Sequence, residues 1–211
     1  MRLFLLICAL LAPGLAEAAT RELNFKVERE GGPMGSHTVK IRQEGARTFV
    51  DININLKVQL GPFTLFRYKH HNAEIWEGGR LISLATETDD DGTPYRVRGT
   101  ATANGFEVEG SGGRLVLPAN VLPTSYWRRE SVQRAELLDT QRGVMVKVET
   151  KPEGTEMVQV GNKLVEAERF QSKGELVLTK WYDKAGNWVK LSFTARGSDI
   201  EYKLAALPTS R

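Results

Sequence analysis

The sequence predicts an all-β protein: a highly curved antiparallel sheet forming an open barrel or clam, with one short helix near residues 124–136. Three observations carry that expectation. Apolar and polar residues alternate along most of the chain, turns built on Gly, Asn and Asp punctuate the alternating runs, and helical spacing of apolar residues occurs in only one stretch.

The clearest run is DININLKVQL at 51–60, where Ile52, Ile54, Leu56, Val58 and Leu60 take one side of an extended chain and Asp51, Asn53, Asn55, Lys57 and Gln59 the other. A helix would scatter those aliphatics around its circumference, and Asn and β-branched residues form helices poorly. The same signature starts at Leu23/Phe25/Val27, turns at Gly31-Gly32-Pro33, returns through His37/Val39/Ile41 and turns again at Glu44-Gly45. Phe66/Tyr68/His70 lead to Gly78-Gly79, and Tyr95/Val97 and Phe106/Val108 flank Asn104-Gly105, a dipeptide suited to the positive φ angles of a type I′ turn. Later runs are Val144/Val146/Val148, the segments on either side of Gly161-Asn162, Leu176/Leu178, those joined by Lys184-Ala185-Gly186-Asn187, and Ile200/Tyr202/Leu204. About a dozen strands result, a number at which an open sheet curls or splits into layers.

The exception lies after Pro123, where Thr124 or Ser125 could cap a short helix with Trp127, Ser131, Ala135 and Leu138 on one face. Leu137-Leu138-Asp139-Thr140 could equally begin a strand.

Residues 1–18 have the layout of a secretory signal: Arg2, an apolar stretch from Leu3 to Leu11, and the small-x-small site Ala16-Glu17-Ala18. Cleavage after Ala18 would discard Cys8, the chain's one cysteine, so stability would come from packing without disulfides. A lipoprotein reading would acylate Cys8, but that residue sits inside the apolar region. The expected product is a periplasmic domain over 19–211, with no segment apolar and long enough for a transmembrane helix. The net charge of +3 is spread along the chain, with only Arg128-Arg129 as a basic pair, which argues against nucleic acid as a partner.

Among chemistry-bearing residues, Tyr68, His70, Asn72, Glu74 and Trp76 share one face of a strand. An imidazole and a carboxylate on one side suit a general base with its orienting acid, or two metal ligands; cross-strand hydrogen bonding on a wet face is the simpler reading. With three histidines in all and His37 distant in sequence, no metal set is assigned, and His70 and Glu74 stand only as the pair an enzyme would use. Asp89-Asp90-Asp91-Gly92 lacks the alternating spacing of a calcium loop and reads as a solvated turn. Gly110-Ser111-Gly112-Gly113 precedes a strand, not the helix a phosphate loop needs, and no serine sits in a Gly-x-Ser-x-Gly elbow. Tyr126-Trp127, Trp181-Tyr182 and Trp188 serve either as core or as walls of an apolar cavity.

Pro33-x-Gly35-x-His37, Tyr68-x-His70-x3-Glu74-x-Trp76-x2-Gly79-x-Leu81, Tyr126-Trp127 and Trp181-Tyr182-Asp183-x2-Gly186 together resemble an exported Gram-negative family known only as a domain of unknown function. The resemblance implies a periplasmic or envelope-associated β protein and carries no catalytic role across. More distantly, the layout is similar to envelope lipid-carrier folds, in which a curved sheet holds an acyl chain. The expected function is non-enzymatic: binding of a hydrophobic small molecule, lipid or envelope component, with Tyr68, His70, Glu74, Trp76 and Trp127 near the mouth and no cofactor. The alternatives are a hydrolase or isomerase using His70 with Glu74, and a structural envelope protein that pairs an exposed sheet edge with a partner.

Overall fold

The structure is a computed structural model that describes residues 19–208, so the expected signal, with Cys8, lies outside the described residues. Fourteen strands form a single sheet. They are β1 (Ala19–Arg29), β2 (Gly32–Glu44), β3 (Arg47–Leu60), β4 (Phe63–Glu77), β5 (Arg80–Asp90), β6 (Thr93–Thr102), β7 (Gly105–Gly110), β8 (Gly113–Leu117), β9 (Glu136–Leu138), β10 (Met145–Val160), β11 (Lys163–Gly174), β12 (Leu178–Asp183), β13 (Trp188–Ala195) and β14 (Ser198–Leu204). The spatial order runs from β8 back to β1 and then from β14 back to β9, so two antiparallel meanders join where β1 pairs with β14, Phe25 opposite Leu204.

Alternation in sequence becomes alternation across the sheet. Leu23, Phe25 and Val27 on β1, Val39 and Ile41 on β2 and Ile52 and Leu56 on β3 all face a common interior and are buried. Each such side chain contributes roughly 1.5–3 kcal/mol by leaving water. Tight hairpins hold the register. Glu30-Gly31, Gly78-Gly79, Asp91-Gly92 and Arg196-Gly197 all have both residues at positive φ, the geometry that matches the right-handed twist of the flanking strands. At the expected Asn104-Gly105 turn the residues are Ala103 and Asn104, neither at positive φ; Gly105 opens β7 instead. Its glycine serves a close approach, since a Cβ there would lie 2.2 Å from the Leu117 carbonyl oxygen on β8.

The sheet does not close, because β8 and β9 are its two edges. Residues 118–135 cross this gap and fill the lower interior. Here the expected helix is replaced by extended chain and a single 3-10 turn at Arg129–Gln133. The barrel wall, not a helical ladder, satisfies the backbone: Thr124 N–H donates to Leu138 O, Leu138 N–H to Leu122 O, and the Tyr182 hydroxyl to Tyr126 O at 2.9 Å. Tyr126 adopts φ 58, a conformation that ends any helix and is costly for a bulky side chain. Near the upper rim, Ser111 N–H and Oγ both donate to Arg142 O, which tacks the β7–β8 turn to the β9–β10 loop across the seam.

A second fold-back thickens the wall on the far side. The β10–β11 hairpin breaks register between Pro152 and Thr155, and its outer half lies over the outward face of β12–β14. There Trp181 Nε1 donates to Glu156 Oε1 at 2.5 Å and Gly161 N–H donates to Leu204 O at 3.3 Å. This is why every residue of β12 is buried.

Candidate functional site

Above the crossing segment the interior is hollow. At the rim carrying the turns 30–31, 61–62 and 196–197, an apolar cavity of about 540 Å³ is walled by Met34, Ile54, Leu56, Val58, Leu65, Phe66, Phe193, Ile200 and Tyr202. Its size falls within the roughly 300–1,000 Å³ of small-molecule sites. Arg29 and Arg196 stand at its edge, Arg29 Nη2 donating to Ser198 Oγ at 2.6 Å and the Arg196 guanidinium lying 4.9 Å above the Phe66 ring. Among the described residues neither guanidinium is paired with a carboxylate.

Beneath it a polar cavity of about 490 Å³ adjoins the first across Ile54, Tyr68, Asp90 and Gln141. Several of its polar groups are paired. Tyr68 Oη donates to Gln141 Oε1 at 3.0 Å, Gln141 Nε2 donates to Asp90 Oδ2 at 3.1 Å, and His70 meets Thr88 Oγ1 at 2.7 Å through Nδ1 and Thr140 Oγ1 at 3.4 Å through Nε2. Burial pushes the His70 imidazole down to about 4 against the opposing field of Asp139, so the ring is neutral at pH 7. Burial likewise pushes the Tyr68 phenol up. His37, distant in sequence, lines the same cavity, boxed by the rings of Phe25, Trp188 and Tyr202, with both ring nitrogens unpartnered. Burial and then the neighbouring His70 push it down to about 3.

At the lower end, Glu74 fixes the crossing segment to β4. Its carboxylate accepts from Asn72 Nδ2 at 2.9 Å, Trp76 Nε1 at 2.8 Å and Trp127 Nε1 at 2.9 Å, with Ser125 as a fourth donor. Burial raises its pKa and outweighs these donors, which all favour the charged form. Arg128 lies over Trp76 at 4.6 Å and Trp127 at 5.8 Å, and its Nη1 donates to Gly79 O at 2.9 Å. Cation, indoles and carboxylate thus form a stack that clasps the segment to the wall.

The structure therefore divides the five expected binding residues. Tyr68 and His70 line the upper cavities, whereas Glu74, Trp76 and Trp127 belong to the clasp, the two indoles also bordering a separate depression of about 700 Å³ at the lower rim. His70 and Glu74 share no hydrogen bond, because every Glu74 donor comes from the clasp and both His70 nitrogens face threonines. Asp89, Asp90 and Asp91 are spent on Gly92 N–H, Gln141 Nε2 and Arg67 N–H. Among the described residues no group of His, Cys, Asp or Glu is arranged to hold a metal, and no helix is long and apolar enough to cross a membrane. Sequence reasoning missed Arg29, Arg196 and Phe193; the two arginines had one signal, each lying within a residue of a glycine turn that the β1–β14 pairing brings to the same rim.

An unclosed antiparallel sheet, floored by its own crossing segment and hollow towards one rim, defines a barrel-like chamber protein. The chain belongs to the family described as Domain of unknown function (DUF6134), whose model matches residues 25–205. Among solved structures it is similar to the beta-barrel-like protein of domain of unknown function DUF1849 from Brucella abortus, with a TM-score of 0.60 and 11% identity over 90% of this chain and 96% of that chain. At that identity the likeness shows the fold alone. No curated protein sequence matches.

Proposed function

We propose that this protein is a non-enzymatic periplasmic module that holds an amphiphile, an apolar tail with an anionic head, in the chamber. The observation that supports this reading is the layering of the upper interior: two carboxylate-free guanidiniums at the rim, an apolar cavity below them, and below that a polar floor whose top is the hydrogen-bonded chain of Tyr68, Gln141 and Asp90. The tail would gain the hydrophobic contribution of about 25 cal/mol per Å² along Leu56, Val58, Phe66 and Phe193. The head would stay at the solvent edge beside Arg29 and Arg196, where no buried charge is created. The Tyr68–Gln141–Asp90 chain, already hydrogen-bonded from phenol to amide to carboxylate, sets the depth.

The test is a fluorescence titration with a dansyl-labelled fatty acid. Ala195→Trp, which fills the mouth, should weaken binding at least tenfold. Arg29→Gln with Arg196→Gln should weaken the acid roughly tenfold and leave the matching dansyl alcohol unchanged. Unaltered affinity in Ala195→Trp would overturn the reading.

A further inference from the structure

The β3–β4 hairpin extends beyond its neighbours. Strand β2 stops pairing with β3 at Gly35 opposite Leu56, and β5 stops pairing with β4 at Asp90 opposite Tyr68, with Asp91 N–H still donating to Arg67 O at 2.9 Å, so residues 57–66 pair only with one another. Arms of four residues and their turn make a tongue about 15 Å long. Its apolar side continues the chamber wall: Val58 and Phe66 line the mouth at its base. At the tip Leu60, Phe63 and Leu65 are 67%, 69% and 58% exposed. Lys57, Arg67 and Lys69 flank them and are exposed, and the stretch from 57 to 69 contains no acidic residue.

We propose that this tongue docks the protein on an anionic lipid surface, with Leu60, Phe63 and Leu65 entering the boundary between headgroups and acyl chains. Three large apolar side chains on one projecting tip are a liability in water unless something covers them. A stable protein interface needs roughly 800 Å² from each partner, far more than the end of a two-stranded ribbon offers. A bilayer surface needs only a few inserted side chains with cations behind them, and Lys57 and Lys69 supply the charge complement, with Arg67 beside them shared with Asp89. The acidic turn at 89–91 is set back at the level of Tyr68, and its Asp89 is already paired with Arg67 at 3.2 Å. Docking in this pose would bring the chamber mouth to the membrane. It adds to the amphiphile reading without depending on it.

The experiment is co-sedimentation with vesicles of phosphatidylcholine alone and of phosphatidylcholine in which one lipid in three is phosphatidylglycerol. The native chain should sediment with the anionic vesicles and much less with the neutral ones. Replacing Leu60, Phe63 and Leu65 together by Ser should lower partitioning at least tenfold, and Lys57→Gln with Lys69→Gln should lower it by about tenfold in a salt-sensitive manner. These side chains are exposed, so folding is verified by an unchanged circular dichroism spectrum and unfolding midpoint. Ala195→Trp should sediment as the native chain does, which separates docking from chamber filling. The proposal is overturned if the native chain ignores anionic vesicles, binds both kinds equally, or is matched by the triple Ser variant. It is equally overturned if ultracentrifugation shows a dimer that only the triple Ser variant loses, for then a second copy covers the tip.

Discussion

His37→Leu tests the interior electrostatics most sharply. The imidazole is 5% exposed, its two nitrogens have no partner, and aromatic rings surround it. Leaving such groups buried costs on the order of 1–3 kcal/mol, so an apolar side chain of similar volume should keep or raise stability at pH 7. The larger effect is on pH dependence. Burial holds the folded pKa at about 3, below the ordinary 6.5, so the unfolded chain takes up the proton first. Stability from this group is complete above pH 6.5 and drains away as pH falls towards 3. Between pH 7 and pH 5 the native ring stays neutral while the unfolded one becomes protonated, a loss of about 2 kcal/mol. His70, held at about 4, loses a similar amount over the same interval. The native protein should thus lose roughly 4 kcal/mol from the two rings, and His37→Leu roughly 2. Glu74, whose pKa is raised, works in the opposite direction but identically in both chains. Urea unfolding followed by tryptophan fluorescence at the two pH values measures the difference. Equal losses in the two proteins would refute the buried, neutral imidazole.

Other expectations follow from the clasp and the seam. Glu74→Ala, which strands the buried Trp76 and half-buried Trp127 indole donors, should cost about 3–5 kcal/mol in urea unfolding. Glu74→Gln should cost no more than about 1–2 kcal/mol, because Asn72 Oδ1 is free to accept from the new amide once the Asn72 side chain rotates; equal costs would contradict the four-donor arrangement. Gly110→Ala places a Cβ 2.4 Å from Arg142 O and should loosen the seam, seen as faster hydrogen exchange at Ser111 and Gly143 with β1 and β14 unaffected. Uniformly faster exchange would show that the seam is not a separable unit.

Much of the fold was legible because alternation is a local property. The pattern at 51–60 became β3 with Ile52 and Leu56 buried, and the glycine turns at 31, 78–79 and 92 became hairpins. Residues 124–136 misled because their helical spacing is also what a segment needs to touch two walls at once; Tyr182 and Leu138 capture the backbone that a helix would have used. The face holding Tyr68, His70, Glu74 and Trp76 was readable as inward, but its division into chamber and clasp was not. That division is made by Trp127 and Ser125 arriving from a segment some fifty residues away. Arg29 and Arg196 were hidden for the same reason, since only the pairing of the first and last strands sets them on one rim.

The chamber itself is tested most directly by native mass spectrometry of the protein purified, without detergent, from the cells that produce it. A complex one small acid heavier than the chain, releasing an amphiphile on solvent extraction and absent from Ala195→Trp, is the expected result. A bare chain in every preparation, with no amphiphile taken up on addition, would mean that the hollow above the Tyr68–Gln141 floor holds only water.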